Sequence, residues 1–216
     1  MWYLVRKDIS LVIKQVWTYL ALGIVLSAVF SASDSTVTML LTFLAVSVWN
    51  FAARICYLEE KNHTYGFLWT LPCSRSQFVI SKYVSVLVFW LISVGVLAGA
   101  SAVYPLIGIT ETNVFPLGMA LAWSSPFLVL IGLYMLLVFR FGYFKASTHI
   151  RLLFLVFFIP LVIPKQLLRQ LTEPLMQILN SSAINYLMPL GIVLVYLLFM
   201  SLAVSVFERK ELTTLE

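Results

Sequence analysis

Long runs without a charged residue constrain this sequence more than any other feature. Six such runs contain 19, 19, 28, 28, 13 and 34 residues, at positions 15–33, 35–53, 83–110, 112–139, 152–164 and 174–207. An α-helix needs about 20 apolar residues to cross the hydrocarbon core of a bilayer, so five runs reach that length or nearly so. The 216-residue chain is 62% hydrophobic and 11% charged. Because a soluble domain of this size leaves much of its surface in water, this composition excludes a soluble enzyme or nucleic-acid-binding protein.

The runs predict an all-α, polytopic integral membrane protein with six transmembrane helices in a single domain, residues 1–216. We place the spans near residues 15–33, 36–56, 80–104, 115–139, 150–165 and 184–207. The fifth span is short, because its 13 uncharged residues rise only about 20 Å as an α-helix. Pro160 and Pro164 also disturb its far end. It crosses the bilayer only if Arg151 and Lys165 extend to opposite interfaces.

The basic residues predict the orientation. With six spans and both termini in the cytoplasm, only two of the 14 basic residues, Lys165 and Arg169, lie outside. The twelve inside are Arg6, Lys7, Lys14, Arg54, Lys61, Arg75, Lys82, Arg140, Lys145, Arg151, Arg209 and Lys210. This distribution obeys the positive-inside rule. If the fifth span failed to cross, Lys165 and Arg169 would lie inside, and Arg209 and Lys210 would lie outside. Twelve basic residues would again be inside and two outside, so the charge distribution leaves the location of the C-terminus open.

Two segments outside the spans have the pattern of amphipathic helices. In the N-terminal segment, apolar residues recur at helical spacing: Val5, Ile9, Val12, Ile13 and Val16. This pattern predicts an N-terminal interfacial helix on the inner membrane surface, and the alternative is a simple continuation of the first span into the cytosol. The second segment, residues 166–183, has a similar apolar stripe, is interrupted by Pro174, and is expected at the outer face.

The cytoplasmic loop at residues 57–79 predicts a helix start and an apolar cluster. Ser74 and Gln77 have the spacing of a capping box, which predicts that a helix begins at about Arg75. Exposing large apolar side chains to water costs about 1.5–3 kcal/mol each relative to burial. The lipid interface, the inner end of the bundle or a partner protein must therefore cover the cluster Tyr65, Phe67, Leu68, Trp69 and Leu71.

Several short motifs in this loop resemble those of a known family. An acidic pair follows the second span, and a short apolar and aromatic turn, a Leu-Pro-x-Ser-Arg element and a Ser-Lys-Tyr sequence come after it. Here these are Glu59-Glu60-Lys61, residues 65–71, Leu71-Pro72-Cys73-Ser74-Arg75 and Ser81-Lys82-Tyr83. The motifs resemble those of permease subunits of type-2 ATP-binding-cassette exporters. The small size, without a large extracellular domain, is similar to permeases that export amphipathic or antimicrobial peptides.

The resemblance implies a role for the loop. In that family it carries a coupling helix that docks into a groove on a cytosolic ATPase. The implied coupling residues are Glu59, Glu60, Lys61, Tyr65, Phe67, Leu68, Trp69, Leu71, Pro72 and Arg75. Among them, Tyr65, Phe67 and Leu68 would pack against the ATPase, while the first three could form ion pairs across the interface. The alternative is a solvated loop whose aromatic residues are anchored in the lipid interface.

The sequence contains no G-x-x-x-x-G-K-[ST] phosphate loop. We therefore expect a non-catalytic chain without a cofactor, whose partner ATPase binds ATP and Mg²⁺. Cys56 and Cys73 have no clustered histidines beside them, so no metal site is expected. The expected partners are cytosolic ATPase subunits, a second permease chain that is identical or different, membrane lipid and an amphipathic peptide substrate, with no nucleic acid.

A few residues within the spans have two interpretations each. The Gly95-x-x-x-Gly99 motif permits close helix contact, either inside the bundle or at a homodimer seam. Asn50, Ser124 and Ser125 could line a pathway. Alternatively, Asn50 forms a hydrogen bond with another helix, and the Ser-Ser-Pro sequence permits a kink.

Together with the resemblance, these features predict a permease in a bacterial plasma membrane for a hydrophobic or amphipathic substrate. Movement of that substrate out of the cell is implied by the family resemblance alone. The alternative is a non-transporting membrane receptor or immunity protein that binds a hydrophobic ligand. An ion-coupled carrier is disfavoured, because no predicted span has an acidic, basic or histidine side chain at mid-membrane depth, and Arg54 and Lys82 lie at the cytoplasmic ends of their spans.

Overall fold

The structure, a computed structural model, describes residues 2–29, 36–62, 74–103, 121–122, 124–149 and 184–209. All regular secondary structure in these ranges is helical, which confirms the all-α prediction for this part of the chain. The helices are α1 (Trp2–Val29), α2 (Thr36–Lys61), α3 (Arg75–Val103), α4 (Pro126–Phe141) and α5 (Ile184–Arg209). A short helical segment at residues 143–149 follows α4.

Two of these helices have the length and composition needed to cross a membrane. They are the segments Arg75–Ala100 of α3 and Leu187–Arg209 of α5, while Pro126–Phe141 is apolar but shorter. The predicted fifth span at 150–165 and the outer segment at 166–183 lie outside the described residues. The total of six spans therefore stays a prediction.

Helix α1 runs without a break from Trp2 to Val29. A separate N-terminal interfacial helix is thus not present, and the alternative of one continuous helix is the observed one. The apolar stripe of its first half faces the bundle, since Val5 and Val12 are buried. This face is therefore covered by other parts of the bundle.

Local sequence signals set the ends of α3 and α4. The backbone N–H of Gln77 donates to Ser74 Oγ at 3.2 Å, and the Ser74 N–H donates to Gln77 Oε1 at 3.3 Å. This reciprocal pair is the predicted capping box, and α3 begins at Arg75 as expected. Helix α4 has Pro126 in its first turn and ends at Phe141, followed by the cap residue Gly142, whose φ of 84° suits glycine.

Helix α3 lies at the centre of the described bundle and contacts the other four helices. Its contacts with α1 and α2 are mainly apolar and include stacked rings of Phe51 and Phe89, with centroids 4.3 Å apart. On its other side, the Tyr83 hydroxyl donates to the Gly132 carbonyl at 3.0 Å, and the Tyr196 hydroxyl donates to the Tyr83 carbonyl at 3.0 Å. These bonds fix α3 against α4 and α5.

The start of α1, the end of α2 and the start of α3 lie together at one end of the bundle, which we call the base. The ion pairs of Lys82 on α3 with Asp8 on α1 and Glu59 on α2 join these three ends. The end of α4 is also at the base, because the Tyr143 N–H binds the Glu60 carboxylate. The end of α5 lies there too, since Arg75 Nη1 donates to the Glu208 carbonyl at 3.4 Å. Helices α4 and α5 are therefore parallel to each other.

Candidate functional site

A buried cluster of charges lies at the base, where α1, α2 and α3 meet. The Lys82 ammonium on α3 forms an ion pair with Asp8 Oδ1 on α1, at 2.7 Å, and a second ion pair with the Glu59 carboxylate on α2. Lys82 and Asp8 are each only 1% exposed, and Glu59 is 7% exposed. One cation thus joins three helices.

Two further side chains complete this charge cluster. Lys7 is partly exposed and lies 3.6 Å from Glu59 Oε1 and 3.8 Å from Asp8 Oδ1. The Ser85 hydroxyl lies 3.3 Å from Asp8 Oδ2 and 2.7 Å from the Ser81 carbonyl oxygen, so it donates to one of them at a time. With two ammonium groups and two carboxylates, the cluster has no net charge in its ionised form.

The positions of these residues follow from helical spacing. Asp8 is three residues after Val5 and four before Val12, so it falls on the buried stripe of α1. Glu59 lies on the α2 face of Ile55 and Cys56, and Lys82 lies one turn after the buried Phe78, with Nζ 5.0 Å from the ring centroid of Phe78. An ionisable residue on an apolar helix face was the sequence signal for this site. Asp8, Lys82 and Ser85 were not among the predicted site residues.

Burial makes each charge in this site dependent on its partners. Burial raises the pKa of the Glu59 carboxyl, which lies beyond the predicted second span, and Asp8 adds to this effect. Lys82 and Lys7 act in the opposite direction. Removing one partner from a buried ion pair leaves a charge without compensation. Removal of the shared Lys82 ammonium is therefore expected to cost more stability than replacement of all three charges by neutral side chains.

The second member of the acidic pair joins another part of the base. The Glu60 carboxylate accepts a hydrogen bond from the backbone N–H of Tyr143, the first residue of the helical segment 143–149. A Cβ atom at Gly142 would lie 3.3 Å from both carboxylate oxygens of Glu60. Glycine at this position thus allows both the positive φ and the close approach of the carboxylate. Glu59 and Glu60 contact residues of this chain in this structure. The ion pairs with an ATPase that the family resemblance implied for them stay a prediction.

The remaining coupling residues divide into two groups. Lys61 and Arg75 lie on either side of the loop, Lys61 at the end of α2 with its ammonium 5.7 Å from the Tyr57 ring centroid. The other predicted coupling residues lie outside the described residues; they are Tyr65, Phe67, Leu68, Trp69, Leu71 and Pro72.

Three predicted pathway residues form hydrogen bonds within the chain. The Asn50 Nδ2 group donates to the Val46 carbonyl of its own helix at 2.8 Å, so the predicted bond to another helix is not the observed one. The indole of Trp90 on α3 donates to Ser124 Oγ at 3.1 Å, and the Ser125 hydroxyl donates to the Ala122 carbonyl at 2.9 Å. The buried Ser124 therefore contributes to helix packing.

Gly95 and Gly99 lie on an open face of α3. Within the described part of the chain, a Cβ atom at either glycine would meet no atom closer than 4 Å. The described bundle does not use this motif for close helix contact.

No group of three His, Cys, Asp or Glu residues suited to a metal ion occurs among the described residues. His149 is exposed, its Nδ1 lies 2.7 Å from the Lys145 carbonyl oxygen, and its ring stacks on that of Phe141.

A comparison with known families identifies a relationship over most of the chain. Residues 3–208 match the family model described as "ABC-2 family transporter protein". No curated protein was found to match the sequence.

Proposed function

This chain belongs to the ABC-2 transporter family and is a membrane-embedded permease of an ATP-binding-cassette transporter, and from that premise we propose that it is an exporter subunit driven by a separate ATPase. The proposed substrate is hydrophobic or amphipathic, a peptide or an antimicrobial compound, and the proposed location is a bacterial plasma membrane. The observation that carries this proposal is the ion pair between Glu59 and Lys82, which holds together the two helices that flank the loop at the base.

A loop that transmits force needs stems that do not move apart. Helix α2 ends at Lys61, two residues after Glu59, and α3 begins at Arg75, seven residues before Lys82, so the charge cluster lies within about two helical turns of both ends of the loop. The Ser74–Gln77 capping box fixes the start of the second stem. We propose that Tyr65, Phe67 and Leu68 dock on the ATPase, with Trp69, Leu71 and Pro72 shaping the loop and Lys61 and Arg75 at its edges. Glu59 and Glu60 would hold the stems instead of contacting the ATPase.

The direction of the helices supports six spans. The segment at 143–149 lies at the base with the end of α4, and α5 also ends at the base. The 26 residues of α5 rise about 39 Å, so Ile184 lies near the opposite end of the bundle. The chain must pass from one end to the other between residues 149 and 184, as the proposed fifth span requires. The start of α1 and the end of α5 then face the same side, proposed to be the cytoplasm.

The surface of α5 favours contact with lipid or with a second permease chain. Leucines at helical spacing are exposed along it, namely Leu187, Leu190, Leu194, Leu198 and Leu202. Contiguous apolar surface of this kind marks membrane or protein contact. We propose that two permease chains associate and that the substrate passes along the seam between them.

Purification of the tagged protein in mild detergent tests the proposal. We expect a protein with a G-x-x-x-x-G-K-[ST] motif to co-purify, and we expect Phe67→Asp or Leu68→Asp to abolish this association. The matched control is Phe144→Asp, which changes an exposed aromatic residue at the base outside the loop and should retain the ATPase. If no ATPase co-purifies and the loop variants keep full biological activity, the exporter proposal is wrong and the receptor or immunity alternative is favoured.

A further inference from the structure

The charge cluster contains residues from both stems of the loop and from α1. Glu59 lies two residues before the end of α2, and Lys82 lies in the second turn of α3. Asp8, on α1, shares the same ammonium group at 2.7 Å. Among the described residues, the further charged group at these side chains is Lys7 on α1. The neutral Ser85 hydroxyl on α3 contacts the Asp8 carboxylate.

Stability alone gives a poor reason for this arrangement. Replacing a buried ion pair by well-packed neutral residues is often neutral or stabilising, because desolvation offsets the Coulombic attraction. The surrounding contacts among α1, α2 and α3 are mainly apolar and include Val12, Phe51 and Val86. Apolar contacts fix a helix less specifically than an ion pair, which has defined partners and a defined register.

We propose that Asp8, Glu59 and Lys82 are positioning residues that make α1 move together with the two stems of the loop. This inference rests on the proposed function, in which an ATPase displaces the loop during its nucleotide cycle. The ammonium of Lys82 fixes the stems to each other through Glu59 and fixes α1 to them through Asp8. A displacement of the loop is thereby passed to a helix that the loop does not adjoin in sequence.

Distances between spin labels test this inference without knowledge of the substrate. One label is placed on the exposed Leu11 of α1 and one on the exposed Asn62 after α2, in a background with Cys73→Ser. The full permease–ATPase complex is measured without nucleotide and after trapping with MgATP and vanadate. In the otherwise unchanged protein we expect the same distance distribution in both states.

The informative variant replaces all three charges by neutral side chains of similar size: Asp8→Asn, Glu59→Gln and Lys82→Met. We expect the distance distribution of this variant to shift or widen on trapping. We also expect substrate stimulation of ATP hydrolysis, with a fluorescently labelled amphipathic cationic peptide as the probe, to fall about fivefold or more. If the triple variant does not fold, Asp8→Asn alone is measured, and a smaller change in the same direction is expected.

The control is Trp90→Phe, which removes the buried hydrogen bond to Ser124 at another place on α3. This variant should have a lower thermal stability, but the distribution of distances between the two labels should be unchanged both without nucleotide and after trapping. Identical distributions in the neutral variants and the unchanged protein, with the ATPase still bound, would overturn the inference while leaving the proposed function intact. A nucleotide-dependent change between the labels in the unchanged protein would overturn it too. Failure of the unchanged protein to retain an ATPase would instead refute the proposed function.

Discussion

The ammonium group of Lys82 is shared by two carboxylates, and this sharing dominates the energetics of the base. Each carboxylate comes from a different helix, Asp8 from α1 and Glu59 from α2. All three side chains are buried, so water cannot replace a lost partner. Removal of the Lys82 charge alone should therefore lower the free energy of unfolding more than removal of all three charges.

Substitution of Lys82 alone should be strongly destabilising. Lys82→Met leaves two buried carboxylates with only the partly exposed Lys7 nearby, and breaking a buried pair in this way costs about 3–5 kcal/mol. The neutral triple variant Asp8→Asn, Glu59→Gln, Lys82→Met should recover most of that loss. Denaturant titration in detergent micelles measures the free energy of unfolding of both. A triple variant that is no more stable than Lys82→Met would contradict the interpretation of the site as a charge cluster.

At the scale of elements, α4 and α5 show how a glycine sets the distance between two helices. A Cβ atom at Gly132 would lie 3.0 Å from Tyr196 Cδ2 and 3.2 Å from Phe199 Cδ2. Tyr83 adds a hydrogen bond to the carbonyl of this glycine. The close approach of α4 and α5 thus depends on the absence of a side chain at one position.

Two glycine substitutions separate packing from helix propensity. Gly132→Leu should destabilise the protein by about 1–3 kcal/mol, because the added side chain overpacks the α4–α5 contact. Gly95→Leu, on the open face of α3, should be neutral or stabilise by up to about 1 kcal/mol through the loss of glycine's conformational entropy. Thermal unfolding in detergent checks both variants, and an equal loss of stability in the two would show that the packing interpretation of Gly132 is wrong.

Local and long-range features of these elements differ in how far the sequence predicts them. The start of α3 was predictable, because Ser74 and Gln77 are three residues apart and cap the helix themselves. The partners of Lys82 were not, because Asp8 is 74 residues away and meets it only after α1 packs on α3. The contact between Glu60 and Tyr143 likewise depends on where α4 ends. Loop motifs predicted the family, whereas the charge cluster required the packed helices.

At the scale of the whole molecule, the directions of the described helices determine which helix ends lie at the same end of the bundle. The start of α1 and the ends of α2, α4 and α5 all lie at the base. Both the N-terminal and the C-terminal helix therefore have an end on the side that carries the loop. The balance of basic residues alone left the side of the C-terminus open.

Reporter fusions test this topology. We expect reporters at the N-terminus and after Arg209 to indicate the cytoplasm, and a reporter inserted between Lys165 and Glu173 to indicate the outside. The physical reason is that two parallel neighbouring helices, α4 and α5, require a crossing between them. A cytoplasmic signal from the 165–173 insertion, with an external C-terminus, would contradict the six-span topology.

Photo-crosslinking from the loop tests most directly whether a separate ATPase drives this permease. A photoreactive amino acid is placed at Phe67 or Leu68, and for comparison at the exposed Leu187 near the opposite end of the bundle. The prediction is a crosslink to the ATPase from the two loop positions and none from position 187. Crosslinks from the loop only to lipid or to residues of this chain, in a complex that is active in transport, would contradict it.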